Sequence, residues 1–527
     1  MKDFILRHKQ WIAADFVFAI IVGISKSGAQ FLIRDITDGI ALGSFGRVPF
    51  FVMLALGLHL ICIVFSLSGN WVQANMSNRF GAAIRVKLFN HLSRASQLEL
   101  EKLKTGDLQS AFRNDTDQAS RLLGLMSFFN QLVFLLIFET VFLAAINLRL
   151  TLIVIVSAVA IGFFTQNFLK VIKRYETASR KDLGDMSQSV LNIYDSADTI
   201  KLNNAQGFVS RIFNARRDSY NRNKLNSAKA DTIRLVLQIG LNNAALFGCV
   251  IYLAHAAING YASIGEVLAY VSLLSMLLAH IDNMFRRFAP LMGCIAAWER
   301  VKKLFDLPTK ENASETQHSP SVIADSITIS GINFGYDADS PIFKDFSLHL
   351  KKGLIHALTG ESGSGKTTLI KILLGFYDAP GMRIEQDGAA IEGIQPGYVP
   401  SDNRLFNMSI YDNIALGDEG ITREHCLNLA ESVGFKGWID SLPHGLDTLV
   451  AENAQNLSGG QAQAVCILRA LATGRSILVM DEPFAALDAD KETALLDTLA
   501  RAKQDRIVIV TSHRVSSVEG CDVVVPL

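Results

Sequence analysis

Six apolar runs occupy the first 283 residues of the 527-residue chain, at Trp11–Leu32, Val48–Ser68, Leu122–Ile146, Leu150–Leu169, Ile233–Ile258 and Ile264–Asn283. Each is close to the roughly 20 residues that carry a helix across a hydrocarbon core. Inside lipid only helices and closed barrels satisfy their own backbone groups, so runs of this length predict an all-α six-helix transmembrane domain. The fifth run is the least uniform, because Gln238, Asn242, Asn243 and His255 interrupt it. The first is too long for a cleaved leader, and five more follow it.

Charge predicts orientation. Arg79, Arg85, Lys87, Arg94, Lys102, Lys104, Arg113 and Arg121 lie between the second and third runs, and a second basic stretch, Lys173 to Lys224, lies between the fourth and fifth. The turn near Asn147 holds only Arg149, and Asn259–Ser263 holds no charge. Positive connections stay in the cytoplasm, so both long connections and both ends of the six-span unit are expected there. This predicts a multi-pass protein of the cell (inner) membrane, surrounded by lipid. Lys26 in the first run and Glu139 in the third are costly at membrane depth unless paired or hydrated. They are expected to face the bundle interior at similar depth and to hold a polar part of a substrate. A structural pair, or side chains snorkelling to the interface, is the competing expectation.

With 50 basic and 50 acidic residues the formal charge is zero, which argues against a nucleic-acid partner. The six cysteines form no CxxC pair, so reduced thiols are expected rather than a metal site or disulfide framework. After Phe305 the composition turns polar. The expected division is a transmembrane domain over residues 1–306, a linker over 307–322 and an α/β domain over 323–527, where short apolar strands alternate with helical patterns.

That last domain carries Gly360-Glu361-Ser362-Gly363-Ser364-Gly365-Lys366-Thr367, a P-loop between the apolar strand Ile355–Leu358 and a helix opening at Thr368. Its glycines let successive N–H groups turn onto phosphate oxygens at a helix N-terminus. Lys366 is expected to reach the β- and γ-phosphates of ATP, and the Thr367 hydroxyl to ligate Mg²⁺. Downstream, the buried strand ending Met480-Asp481-Glu482 sets Asp481 to hold Mg²⁺ and Glu482 to deprotonate the attacking water.

Leu457-Ser458-Gly459-Gly460-Gln461, opening the helical run Ala462–Ala472, is the signature sequence of the ABC family. From there the chain resembles an ABC transporter of the exporter type over nearly its whole length. The resemblance implies that Ser458, Gly459, Gly460 and Gln461 bind the γ-phosphate held by a second ATP-binding domain, so a second transporter half is expected. It also implies that Tyr336 stacks on adenine, that His513 contacts the γ-phosphate, and that Ala486-Leu487-Asp488 crosses the dimer interface. Thr105–Leu108 through Asn114–Asp117, and Thr199–Leu202, resemble the two coupling helices. Three departures stand out: Ser401 replaces the loop glutamine that approaches Mg²⁺, the stretch Met382–Gly397 is short, and the chain stops soon after the histidine. The expected function is an ATP-hydrolysing exporter working by alternating access, as a homodimer in preference to a heterodimer. The cargo is expected to be a peptide, lipid or other amphipathic molecule. An importer on the same fold and a soluble ABC ATPase are the alternatives.

Overall fold

Long apolar runs become long helices. In the computed structural model, which describes residues 2–309, 325–336, 340–361, 363–512 and 518–527, five helices are long and apolar enough to cross a membrane. They are Lys9–Ala41, Val48–Leu92, Thr105–Asp195, Gln206–Ile258 and Ile264–Phe305. The third and fourth runs share one of them, which breaks at Asn147 (φ −152°, ψ 98°). Hydropathy places both runs but does not reveal that only one residue leaves helical geometry. Asn147 also starts the next helix: its Oδ1 accepts the Leu150 N–H at 3.0 Å, as an N-cap side chain does. The last long helix starts at a capping box, with Ser263 and Glu266 each accepting the other's backbone N–H.

The residues group into two units, 1–91 with 105–306, and 92–104 with 307–527. In the first, Leu143, Leu150, Val154, Leu253, Tyr270, Leu273, Leu274 and Leu277 form an apolar core between helices. Leu54, Leu56, Leu60, Ile63, Val64 and Leu67 of the second span are exposed, as suits a helix whose solvent is lipid.

The second unit has two sheets. The antiparallel one, ordered β2-β1-β4-β5, joins β1 (Ser326–Phe334), β2 (Phe343–Lys351), β4 (Arg383–Gln386) and β5 (Ala389–Ile391). The parallel one, ordered β6-β7-β8-β3-β9, joins β6 (Gly397–Val399), β7 (Ile477–Met480), β8 (Ile507–Thr511), β3 (Ile355–Thr359) and β9 (Val523–Pro526). All four residues of β7 and all five of β8 are buried, the continuous apolar pattern of strands covered on both faces. The fold is thus a helical membrane region followed by an α/β domain. Most of the expected linker, from residue 310 on, lies outside the described residues.

One short segment departs from the expected division. Residues 92–104 group with the second unit, and the helix Gln97–Glu101 within them supplies Glu101 to Lys371 (3.0 Å) and Tyr377 (2.5 Å). Burial works against the Glu101 carboxylate, but bonds from Tyr377, Lys371 and Gln97 outweigh it and hold its pKa below the ordinary value. In Asn114–Asp117, by contrast, Asp115 is gripped bidentately by Arg300 within the first unit, at 2.9 and 2.5 Å. The residues just before Thr105 thus group with the second unit, and Asp115 is engaged within the first.

Candidate nucleotide site

The site grows from the C-terminal ends of β3, β7 and β8, the edge at which open parallel sheets bind ligands. β3 leads into Gly360, and the helix Lys366–Leu373 follows. Gly365 sits at φ +102°, and a Cβ there would lie 2.8 Å from Ile342 Cγ2 and 2.9 Å from Phe343 Cζ. Only glycine lets the backbone turn at this point. Lys366, 7% exposed, donates to the carbonyls of Gly360 and Glu361, both at 2.9 Å, so its ammonium is held over the loop where phosphates would lie. Ser362 and His513 lie outside the described residues.

Asp481 directly follows β7, is 1% exposed, and has both oxygens engaged. Thr367 donates to Oδ2 at 3.2 Å and Thr511 to Oδ1 at 2.7 Å. Thr367 and Asp481 offer the hard oxygen ligands that suit Mg²⁺, so the donor set fits that ion. Thr511 also accepts the Glu482 N–H at 2.8 Å, so one buried hydroxyl joins the two adjacent carboxylate residues. Glu482 itself adopts φ +52°, a conformation that costs a non-glycine residue of order 1 kcal/mol or more and persists only when neighbours hold it.

One of those neighbours is Gln463, which sequence reasoning passed over inside an apolar helical run. It is 1% exposed, donates to the Glu482 carbonyl at 2.8 Å, and accepts the Ala486 N–H at 3.1 Å. The helix that presents Ser458–Gln461 is thereby fastened to both Glu482 and Ala486-Leu487-Asp488. A Cβ at Gly460 would meet the Ala486 carbonyl at 2.6 Å, so that glycine permits the close approach. Polar residues in an otherwise buried run were the available signal for Gln463. Thr511, buried at 0% exposure, gave none beyond its place ahead of His513.

Ser458 and Gln461 close a capping box, with the Ser458 N–H donating to Gln461 Oε1 at 2.8 Å and the Gln461 N–H to Ser458 Oγ at 3.3 Å. The serine hydroxyl accepts in this arrangement and keeps its own proton for an outside acceptor. A cavity of about 560 Å³ opens beside it, lined in part by Gly460, Ala486, Leu487 and Asp488. Tyr336 is 54% exposed, edge-on to Phe334 and Tyr377, with its hydroxyl 3.1 Å from Thr368 Oγ1. Ser401 and Asp402 are both exposed, and Asp402 is ion-paired to Arg404 at 2.6 Å.

In the membrane unit, Lys26 and Glu139 do come together, through a residue not singled out from sequence. His280 of the last span accepts or shares a proton with Lys26 Nζ at 3.3 Å through Nε2 and lies 2.7 Å from the Glu139 carboxylate through Nδ1. Glu139 is fully buried.

The family model for the ABC transporter transmembrane region matches residues 12–281, and that for the ABC transporter matches residues 343–485. The ATP-dependent lipid A-core flippase of Syntrophus aciditrophicus is 25% identical over 99% of this chain and 88% of its own length. ABC transporter B family member 1 of Dictyostelium discoideum is 28% identical over 89% of this chain, which spans about half of that protein, 53%. A bacterial Atm1-family ABC exporter with ATP bound superposes with a TM-score of 0.82 over 98% of this chain and 93% of that one; at 22% identity this likeness speaks for the fold.

Proposed function

Because the chain belongs to the ABC transporter family, we propose that it is an ATP-hydrolysing exporter of the cell membrane, working by alternating access as a homodimer with its ATP-binding domain in the cytoplasm. The observation that carries this reading is the joined set Thr367, Asp481, Thr511 and Glu482 at one sheet edge, in a chain that also crosses the membrane.

Glu482 takes a proton from water as its oxygen attacks the γ-phosphorus, and the bond to the β–γ bridging oxygen breaks to release ADP. Thr367 and Asp481 would hold Mg²⁺, which would supply positive charge to neutralise the phosphates. Lys366 binds those phosphates from one side, and Ser458 to Gln461 of a second copy bind the γ-phosphate from the other. ATP shifts the conformation because it touches both copies only when they are closed. Of the amphipathic cargoes, a lipid is the one supported by the lipid A-core flippase among the relatives. A substrate-stimulated ATPase screen in nanodiscs, followed by uptake into inside-out and right-side-out vesicles, tests the reading. Uptake into right-side-out vesicles alone would make the protein an importer.

A heterodimer whose partner chain supplies the better site is the second reading, and Ser401 is the residue that favours it. The serine hydroxyl is too short to reach Mg²⁺ where a glutamine would, and a bridging water costs up to about 2 kcal/mol of immobilisation. Turnover is expected to be slow and magnesium-hungry. Ser401→Gln is expected to raise the rate or lower the magnesium needed for half-maximal rate. If it does neither while Asp402→Asn abolishes activity, Asp402 is the group that faces the metal.

The Lys26–His280–Glu139 chain is proposed to hold a polar part of the cargo. Intramembrane ionisable groups mark substrate paths more often than they serve packing alone. Replacing Lys26 with Met, or Glu139 with Gln, is expected to lower the ratio of cargo-stimulated to basal ATPase several-fold. Equal loss of both activities would make the chain a structural tie.

A further inference from the structure

A second site lies on the first span, away from Lys26. A cavity of about 490 Å³ opens among the first, second and third spans, walled by Trp11, Phe16, Met76, Phe129 and Phe134. Asp15 enters this wall. Its carboxylate accepts from Ser127 Oγ, and from Asn130 Nδ2 at 3.0 Å. Both donors are neutral, and among the described residues no cation pairs with Asp15. The other carboxylates in the six apolar runs, Glu139, Glu266 and Asp282, each have a basic side chain beside them, His280, Arg34 and Arg286. Asp15 therefore presents an uncompensated negative charge to an aromatic, largely apolar chamber at the end of the first span that the basic connections assign to the cytoplasm.

We propose that this cavity binds an amphipathic cation: an apolar body with one permanent or protonated positive centre. Each part of the lining matches one part of such a molecule. The rings and Met76 take up apolar surface, and ring faces attract a cation through their quadrupoles. Asp15 supplies the counter-charge, and Ser127 and Asn130 fix where its oxygens point. A few convergent polar groups in an apolar chamber of this size are the usual make-up of a small-molecule site. An anion would meet Asp15 with repulsion, and a neutral chain would leave its charge unmatched. Phe16 and Phe134 meet edge to face at 6.1 Å, and Trp11 lies 5.7 Å from Trp71, so the wall carries its own optical reporter.

The site is tested without ATP, so the result does not depend on turnover or on direction of transport. The full-length protein, in nanodiscs of zwitterionic lipid, is titrated with tetraphenylphosphonium while tryptophan fluorescence is followed. Tetraphenylborate, a near-isosteric anion, serves as competitor. Saturable quenching by the phosphonium is expected, with little competition from the borate. Asp15→Asn is expected to weaken binding at least tenfold, and Asp15→Glu to restore it to within a few-fold of the parent. Gln73, also in the wall, provides a second variant should Asp15→Asn fail to fold: Gln73→Lys places a cation in the chamber and is expected to cause a similar loss. Undiminished affinity in the folded variants, equal competition by the borate, or no saturable binding because lipid or a second copy fills the chamber would each overturn the proposal.

Discussion

Glu482→Gln is expected to bind ATP as the parent does and to lose about 10²–10⁴ of its turnover, the usual contribution of a positioned general base. The substitution spares the architecture that surrounds it. The Glu482 N–H still donates to Thr511, its carbonyl still accepts from Gln463, and the Asp481 carboxylate keeps both threonines. Only the group that takes the proton changes, because an amide oxygen is not basic enough to do so. The variant should therefore accumulate with ATP bound and the two ATP-binding domains closed. Retained nucleotide after rapid desalting, together with cross-linking of a cysteine placed near Ser458 to one near the P-loop, reads that state. Hydrolysis at the parent rate would falsify the general-base assignment. Gln463→Ala offers a graded companion: it leaves the carboxylate in place but releases one restraint on a backbone at φ +52°. Turnover should fall without a matching change in ATP affinity, and Gln463→Glu should recover part of the loss at lower pH, where a protonated side chain can again donate.

Much of this was legible in sequence because the relevant physics is local. A hydrocarbon core demands a set length of apolar residues, and Val48–Ser68 shows it without reference to any other segment. A phosphate cradle needs glycines and a helix N-terminus within eight residues, and Gly360–Thr367 supplies both. What sequence left hidden depends on partners far apart in the chain. Lys26 and Glu139 were each conspicuous as charges in apolar runs, but the imidazole between them belongs to a span 254 residues after Lys26. Residues 92–104 look like the continuation of a basic helix, and only the bonds of Glu101 to Lys371 and Tyr377 reveal that they pack with the second unit. Gln463 and Thr511 work through backbone groups of Glu482; a polar residue in an apolar run marks Gln463, but its local pattern does not name the distant main chain that it serves.

Asn413→Ala is expected to lower the stability of the ATP-binding unit more than any change at its surface. The side chain is fully buried and saturated. Its Nδ2 donates to the carbonyls of Phe406 (2.9 Å) and Ser409 (3.0 Å), and its Oδ1 accepts from the Phe406 N–H (2.9 Å) and from Arg469 (3.1 Å). Arg469 adds a bond from Nε to the Asn413 carbonyl at 2.6 Å, and burial pushes its pKa below the ordinary arginine value. Alanine would strand the Phe406 N–H and one guanidinium donor of Arg469, whereas the Phe406 and Ser409 carbonyls keep the backbone N–H groups of Met408 and of residue 413. Each stranded group costs about 1–3 kcal/mol, more where charge is involved, so a total of about 2–5 kcal/mol is expected. That is a large share of the 5–15 kcal/mol typical of a whole domain. At about 2–4 °C per kcal/mol for a unit of this size, the midpoint of the Trp438 fluorescence transition should fall by about 5–15 °C. Asn413→Asp keeps the acceptor beside Arg469 and loses the donors, so it should fall between alanine and the parent. The loss has a functional direction, because the stretch tied down at Phe406 and Ser409 is the one that leads from Ser401. As this stretch loosens, the magnesium requirement should rise before ATP affinity does. An alanine variant melting within 2 °C of the parent would mean that the loop is held by its apolar neighbours, Ile410 and Ile414, and that the amide is dispensable.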